Sequence, residues 1–523
     1  MRIAKLKKYV VALGQFIKAN KLEIILLGLI LLLGAFLRLY RIGSYLTFLG
    51  DEGRDALVVR RLLVDFDLIF VGPGTSVGNM YLGPFYYYLM APFLLLWNYS
   101  PVGPAVMVAL FGVATIFLVW VFTRNLFVKN NGIAYGSLLA AFLYSINPTV
   151  IKLTRFSWNP NIMPFLSLLF AWSVWIFYKA KNYKALVWAG LVFGIILQSH
   201  YMGAVMVLLL IVYYLVVFVH NKKAENVGLI KYTVAALSMF FLTMLPLVIF
   251  DAKHDLRNLR AMSEFFLQRK DVISFSLSTF LEFTNNALNN IFRSLFGINQ
   301  IYEKMFMFAL ILFVLWVTLT FRKYLAELKK PIIFVGFWCV IGVIGLGLYR
   351  KEIYDHYYAF LFPAPFILLG GVFDIERQKK NGFVFIGGAL LFSLFLVNYA
   401  IQNHPFRNEP NRQLERTKAI AEKMITESKG QPFNFAVISN NNYEGAYQYF
   451  LEKENSRVVI IDPQKDDETI TQILFVVCEY EDKTQCQPTS NPKAQVANFG
   501  WSKIDSSYLF DGIILYKLSH NKP

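Results

Sequence analysis

The densest chemistry in the sequence lies at Gly50-Asp51-Glu52-Gly53-Arg54-Asp55 and runs on to Asp67. Asp51, Glu52, Asp55, Asp65 and Asp67 place five carboxylates in seventeen positions, and the next acidic residue is Glu225. A carboxylate in such a cluster can take a proton from an attacking hydroxyl. An arginine one turn on, Arg54, can clamp a phosphate through its planar guanidinium. The same residues suit a plainer role, because acids at a helix N-terminus cap free amides and complement the helix dipole. Residue types and spacing leave both roles open.

Other candidates are sparser. His200-Tyr201 and Asp355-His356 each stand at the end of an apolar run, where a capping or interfacial role is the plainer reading. Arg350 and Lys351 lie close to Asp355 and could meet a phosphate. His200, Asp355 and His356 could help to bind a divalent cation, although no spacing demands a metal. The aromatic runs at 85–88, which include Tyr87, and at 357–362 read as interfacial belts or as walls of a prenyl groove. Gly72-Pro73-Gly74 is a turn and not a phosphate loop, since no Lys-Ser/Thr follows. Cys339 lies in an apolar run and reads as packing. Cys478 and Cys486 read as two unpaired thiols, or as a disulfide if they lie outside the cytoplasm.

The elements that must position these residues follow from composition. The 523 residues are 56% hydrophobic and 16% charged, against roughly 25% charged in a soluble chain. The expected fold is a multi-span α-helical membrane protein with a small C-terminal α/β domain. Apolar runs stand at Leu22–Tyr40, Pro101–Thr123, Ile133–Val150, Ile162–Tyr178, Leu186–Ser199, Met202–Val219, Tyr232–Phe250, Met305–Phe321, Ile332–Tyr349, Tyr357–Phe373 and Phe383–Ala400. A further run, Tyr81–Trp97, is interrupted by Gly83, Pro84 and Pro92, which argues against a straight span.

The formal net charge of +17 is unevenly spread: the first 400 residues carry +19 and residues 401–523 carry −2. The excess sits in short loops between apolar runs, where it sets topology and argues against a nucleic-acid partner. With eleven spans, and Tyr81–Trp97 as a juxtamembrane or re-entrant segment, every second loop is basic and cytoplasmic. The N-terminus is then cytoplasmic. Residues 41–100, residues 251–304 and a domain at 401–523 are extracytoplasmic. A basic lead before Leu22 and no small-residue cleavage site near Phe36–Arg41 predict an uncleaved signal-anchor in a plasma membrane.

Within residues 41–100, Glu52–Phe66 has helical period, with Ala56, Leu57, Val59, Leu63 and Phe66 on one side and Arg54, Asp55, Arg61 and Asp65 on another. This predicts an amphipathic helix on the membrane surface. A second interfacial helix is expected near Phe275–Phe292. In the tail, helices at Pro410–Ser428 and Tyr443–Glu454 alternate with strands at Phe433–Ser439, Arg457–Ile461, Gln472–Tyr480 and Gly512–Leu518. That order predicts a small, partly parallel sheet.

Asp51-Glu52, in the first outer loop after one N-terminal span, resembles the acidic motif of GT-C glycosyltransferases. The pattern is similar to glycosyltransferase family 39: protein O-mannosyltransferases and lipid A aminoarabinose transferases. Leu82-Gly83-Pro84-Phe85-Tyr86-Tyr87-Tyr88 resembles that family's Pro-Tyr-rich segment. Lys152-Leu153-Thr154-Arg155 with Trp158-Asn159-Pro160-Asn161 stands at its third-to-fourth-helix turn. His356-Tyr357-Tyr358-Ala359-Phe360-Leu361-Phe362-Pro363 resembles its late aromatic-proline span. The layout covers residues 22–400, which the resemblance makes a transmembrane catalytic domain. Asn159 and Asn161 depart from the pattern, since the aminoarabinose transferases carry an acid in that turn.

The resemblance implies inverting transfer of a sugar from a polyprenyl-phosphate donor to an acceptor that is a protein, a lipid or a glycan. Asp51 would be the base and Glu52 would orient it or the acceptor. Arg54, which matches by position the family's loop arginine, and Arg155 would meet the phosphate, with Arg350, His356, Tyr87 and His200 as further substrate contacts. Two other readings compete. A flippase of lipid-linked saccharides should show inverted repeats and mid-membrane ionisable groups, and the spans are nearly free of charge. A non-catalytic membrane scaffold would leave the acidic cluster as a helix cap alone.

Overall fold

In the bilayer core every backbone polar group has to be satisfied within its own segment, so the apolar runs must be helices. The computed structural model describes residues 14–75, 80–128, 132–267, 276–297, 329–349, 353–377 and 383–521. Its longer helices up to the tail are α1 (Lys21–Leu39), α2 (Gly50–Val64), α3 (Phe85–Leu96), α4 (Val102–Phe127), α5 (Tyr135–Ile146), α6 (Met163–Ala180) and α7 (Lys184–Ser199). They continue with α8 (Val207–His220), α9 (Lys223–Lys253), α10 (Arg257–Leu267), α11 (Leu277–Phe296), α12 (Lys329–Gly347), α13 (Pro363–Arg377) and α14 (Phe383–Asn403). Among the described residues, eight helical segments are long and apolar enough to cross a membrane, and α3, α5 and α7 are shorter apolar helices. Ten of the eleven expected runs coincide with helices. Met305–Phe321 lies outside the described residues. The 12 residues of α3 reach only about 18 Å at 1.5 Å per residue, short of a hydrocarbon core of about 30 Å.

The spans are less free of charge than their composition suggests. Glu23 is fully buried and accepts from Trp120 Nε1, Arg124 Nε and the Ala134 amide. Asp374, from α13, caps the start of α5 by accepting from the Gly136 and Ser137 amides. Arg38 is fully buried and donates through Nη1 to Gly34 O and Ser145 O. Each sits near a helix end, where buried charge finds backbone or ionic partners.

The tail contains α15 (Gln413–Ser428), β1 (Asn434–Ile438), α16 (Gly445–Lys453), β2 (Ile473–Cys478), β3 (Ser502–Phe510) and β4 (Ile513–His520). The sheet order is β1-β2-β4-β3, with β1 and β2 parallel and the other pairs antiparallel. Every residue of β1 and β2 is buried, which is why β2, and β1 after Asn434, read as unbroken apolar runs. The hairpin from β3 to β4 turns at Asp511-Gly512, both with positive φ, as a two-residue primed turn requires.

Three expectations for the tail need correction. Arg457–Ile461 is not a strand; it contributes a single bridge, Val458 to Phe433. The strand Ser502–Phe510 was not expected, because it is an exposed edge whose polar residues hide its period. Cys478 and Cys486 are joined as a disulfide, because the turn at Lys483–Gln485 carries Cys486 back to the end of β2.

The tail docks on α2. The helices α2 and α16 meet backbone to backbone: a Cβ on Gly53 would lie 2.3 Å from the Ala446 backbone, and one on Gly445 would lie 2.3 Å from Gly50 O. Arg61 and Glu452 pair across the same contact at 2.7 Å, and Tyr449 donates to Tyr99 O. The helix starts two residues earlier than expected and does not lie on an open membrane surface. It packs between α3 and α16, with Ala56, Leu57 and Val59 buried and Phe66 exposed beyond its end. Gly53→Ala forces a methyl into this contact, which typically costs about 1–3 kcal/mol. The expected result is a lower melting temperature and faster proteolysis near residues 401–412. Unchanged melting and proteolysis would refute the docking contact.

Candidate active site

The first turn of α2 leaves amides that need acceptors. Leu49, at the N-cap position, has no side-chain acceptor to offer. Glu52 reaches back instead: its Oε2 accepts from the Leu49 amide at 2.9 Å, the second half of a capping box. The Gly50 amide donates to Asn442 Oδ1 in the tail at 2.8 Å. Capping is therefore performed by Glu52 and Asn442.

Asp51 takes no part in it. Its side chain is 43% exposed. Oδ1 accepts from Arg54 Nη1 at 2.9 Å and from the Tyr443 hydroxyl at 2.7 Å. Among the described residues Oδ2 accepts no hydrogen bond. A carboxylate held by one oxygen, with the other free, is suited to take a proton from a hydroxyl.

Arg54 is itself held. Its Nε and Nη2 donate to Asp55 Oδ1 at 3.0 and 2.8 Å, and Nη1 also reaches the Tyr443 hydroxyl at 3.2 Å. The sequence expectation put Asp55 on the polar side of a surface helix, but it is fully buried. Arg54 and the Tyr87 hydroxyl, 2.9 Å away, make that burial tolerable. Burial raises the Asp55 carboxyl above its usual range, and Arg54 opposes the shift. Burial likewise works against the Arg54 charge, but Asp55, Tyr87 and Asp51 outweigh it and the guanidinium stays firmly protonated.

The other expected residues fall in several places. Tyr86, next to Tyr87, bonds Ser157 at 2.8 Å. Trp158, next to Ser157, lies against His356 with ring centroids 4.3 Å apart. His356 faces His200 at 5.5 Å, and His200 faces Tyr357 at 5.0 Å. His200 Nδ1 accepts from the Met202 amide, a capping contact. Asp355 does not join the histidines: its Oδ1 accepts from Ser294 and Tyr358. Among the described residues no three of His, Cys, Asp and Glu converge as a metal-binding group. Asn159 donates to Ser199 O and Asn161 to Phe156 O.

Arg155 stands apart from this cluster. It donates to the carbonyls of Leu37, Arg38 and Tyr40 and so closes the C-terminal end of α1. Arg350 lies outside the described residues.

Two features were missed in the sequence. The first is the loop Asn440-Asn441-Asn442-Tyr443, whose run of asparagines before a helix was the available signal. The second is a cavity of about 630 Å³ lined by residues that include Gly74, Tyr81, His254, Arg257, Arg260 and Glu264. Arg257 lies over the Tyr81 ring. Among the described residues neither Arg257 nor Arg260 has an ion-pair partner. The signal there is the amphipathic pattern of α10; the interfacial helix expected near Phe275–Phe292 corresponds to α11 (Leu277–Phe296).

The chain has a multi-span helical fold with a small C-terminal sheet. Residues 82–249 match a family model described as dolichyl-phosphate-mannose-protein mannosyltransferase; the match begins after Asp55 and includes Tyr87, Arg155 and His200. The fold is similar to the crystal structure of ArnT from Cupriavidus metallidurans bound to undecaprenyl phosphate, at 14% identity and a TM-score of 0.57. The apo structure of ArnT from Cupriavidus metallidurans gives 13% identity and a TM-score of 0.56. Both likenesses cover 94% of this chain and 97% of the other. A search of curated proteins finds no match.

Glu52 yields a pH signature. Burial raises its carboxyl to about 8 from an ordinary 4.5, against the backbone hydrogen bond from Leu49 and with added repulsion from Asp51 and Asp55. The folded state thus favours neutral Glu52. That preference stabilises fully below the ordinary carboxylate range and is lost as pH rises through about 8. Glu52→Gln keeps an acceptor for Leu49 without the charge. Melting temperatures of parent and variant should agree near pH 4 and diverge towards pH 9, with the variant higher. Parallel curves would contradict this assignment.

Proposed function

We propose that this protein is a membrane glycosyltransferase that moves a sugar from a polyprenyl-phosphate donor to an acceptor hydroxyl on the extracytoplasmic face. The observation that carries the reading is Asp51: a carboxylate spared from capping and held through one oxygen, in a GT-C fold. The acceptor hydroxyl hydrogen-bonds Oδ2 and attacks the anomeric carbon as its proton passes to Asp51. The bond from that carbon to the phosphate oxygen breaks on the opposite side, so configuration inverts. The polyprenyl phosphate leaves with the electron pair. Arg54 orients Asp51, Asp55 and Tyr87 hold Arg54, and Glu52 fixes the helix start. The basic loops and the buried disulfide in the tail support a cytoplasmic N-terminus and an extracytoplasmic C-terminal domain. The acceptor class is a hydroxyl of a protein, a lipid or a glycan.

Most N–H groups of Arg54, and both terminal nitrogens of Arg155, are already used within the chain. Arg257 and Arg260 are better placed to receive the donor phosphate. Four residues of their cavity wall, Gly74, Thr75, Met80 and Tyr81, belong to the segment that leads into Tyr87.

Purified protein with a polyprenyl-phosphate hexose tests both points. Asp51→Asn should lower transfer by about 10²-fold or more; transfer at the parental rate would remove Asp51 as the base. Arg257→Ala with Arg260→Ala should raise the donor KM about tenfold or more while kcat holds. An unchanged donor KM would place the phosphate elsewhere.

A further inference from the structure

The tail does more than cover α2. Tyr443 approaches Asp51 from the loop between β1 and α16, and its hydroxyl donates to Oδ1 while accepting from Arg54. Tyr443 is 37% exposed, so it is not a core residue. Its ring packs on the start of α2 only because residue 50 is glycine: a Cβ there would come within 2.4 Å of the ring.

The backbone of Tyr443 is equally determined. Asn442 Oδ1 accepts from the Gly50 amide at 2.8 Å and from the Tyr443 amide at 2.9 Å. One carbonyl oxygen thus ties the start of α2 to the residue that reaches Asp51. The Asn442 amide nitrogen donates to Glu479, just beyond β2, at 2.8 and 3.0 Å, and the Tyr447 hydroxyl donates to the same carboxylate at 2.6 Å. Hydrogen bonds from Glu479 through Asn442 thus hold the backbone of Tyr443, whose side chain reaches Asp51.

Resting on the proposed role of Asp51 as base, we infer that Tyr443 is a positioning residue of the active site, supplied by the C-terminal domain. With Arg54 it occupies Oδ1 and fixes the carboxylate plane, leaving Oδ2 as the single face offered to the acceptor hydroxyl. Freed of the phenol, the carboxylate keeps only the donor from its own helix and rotates. The loss falls on the chemical step and not on donor binding, since Tyr443 is not among the described residues that line the cavity of Arg257 and Arg260.

Tyr443→Phe isolates the hydroxyl because it keeps the ring on Gly50. With the full-length protein and a polyprenyl-phosphate hexose, and rates normalised to the monodisperse fraction, kcat should fall about 10- to 100-fold. The donor KM should stay within about twofold of the parent. A parental kcat for Tyr443→Phe, with loss only in Tyr443→Ala, assigns the residue to packing and overturns the inference. A raised donor KM at unchanged kcat also overturns it, by making Tyr443 a donor contact. Asp51→Asn in parallel separates the two levels: a fully active Asp51→Asn removes the base reading itself, whereas an inactive Asp51→Asn beside a parental Tyr443→Phe removes only the role of Tyr443.

Discussion

The free amides at the start of α2 are the constraint on which the site depends. A helix in a partly buried setting cannot leave its first N–H groups unpaired. Whichever carboxylate answers that need is lost to other chemistry. Here Glu52 answers it locally and Asn442 answers it from a distant part of the chain. Asp51, next to Glu52 in the chain, keeps one oxygen without a partner among the described residues. The acidic cluster is a helix cap and, in the proposed function, a reactive carboxylate, divided between adjacent residues.

The division holds because α2 is enclosed. Gly53 and Gly445 let α16 close on it at backbone distance, and α3 supplies Tyr87 from the other side to bond buried Asp55. Arg54 lies between Asp51 and Asp55 and joins the exposed carboxylate to the buried one. Deleting the guanidinium would leave Asp55 buried with only the Tyr87 hydroxyl, a costly arrangement. Packing of the tail and electrostatics of the acidic helix are therefore one problem, and a change in either is felt at Asp51.

Much of this was legible in the sequence. Long apolar runs forced helices, and ten of the eleven fall on them. The acidic stretch was conspicuous because no other acid follows until Glu225. β1 and β2 read correctly because they are buried on both faces. What was illegible depends on contacts distant along the chain. Glu52 and Asp51 are alike in sequence, and only the Asn442 and Tyr443 contacts, some 390 positions away, separate their roles. Arg155 looked like a phosphate ligand because nothing in its neighbours reveals the α1 carbonyls it meets. The edge strand Ser502–Phe510 failed to announce itself because solvent on one side relaxes the alternation that marks a half-buried strand.

The most direct test of the central claim is an experimental structure of Asp51→Asn with an intact polyprenyl-phosphate sugar bound. The expected result places the free side-chain atom of residue 51, the one turned away from Tyr443 and Arg54, towards the anomeric carbon, on the face opposite the phosphate. A sugar bound away from residue 51, or a residue 51 side chain turned back to cap the amides of α2, would contradict it.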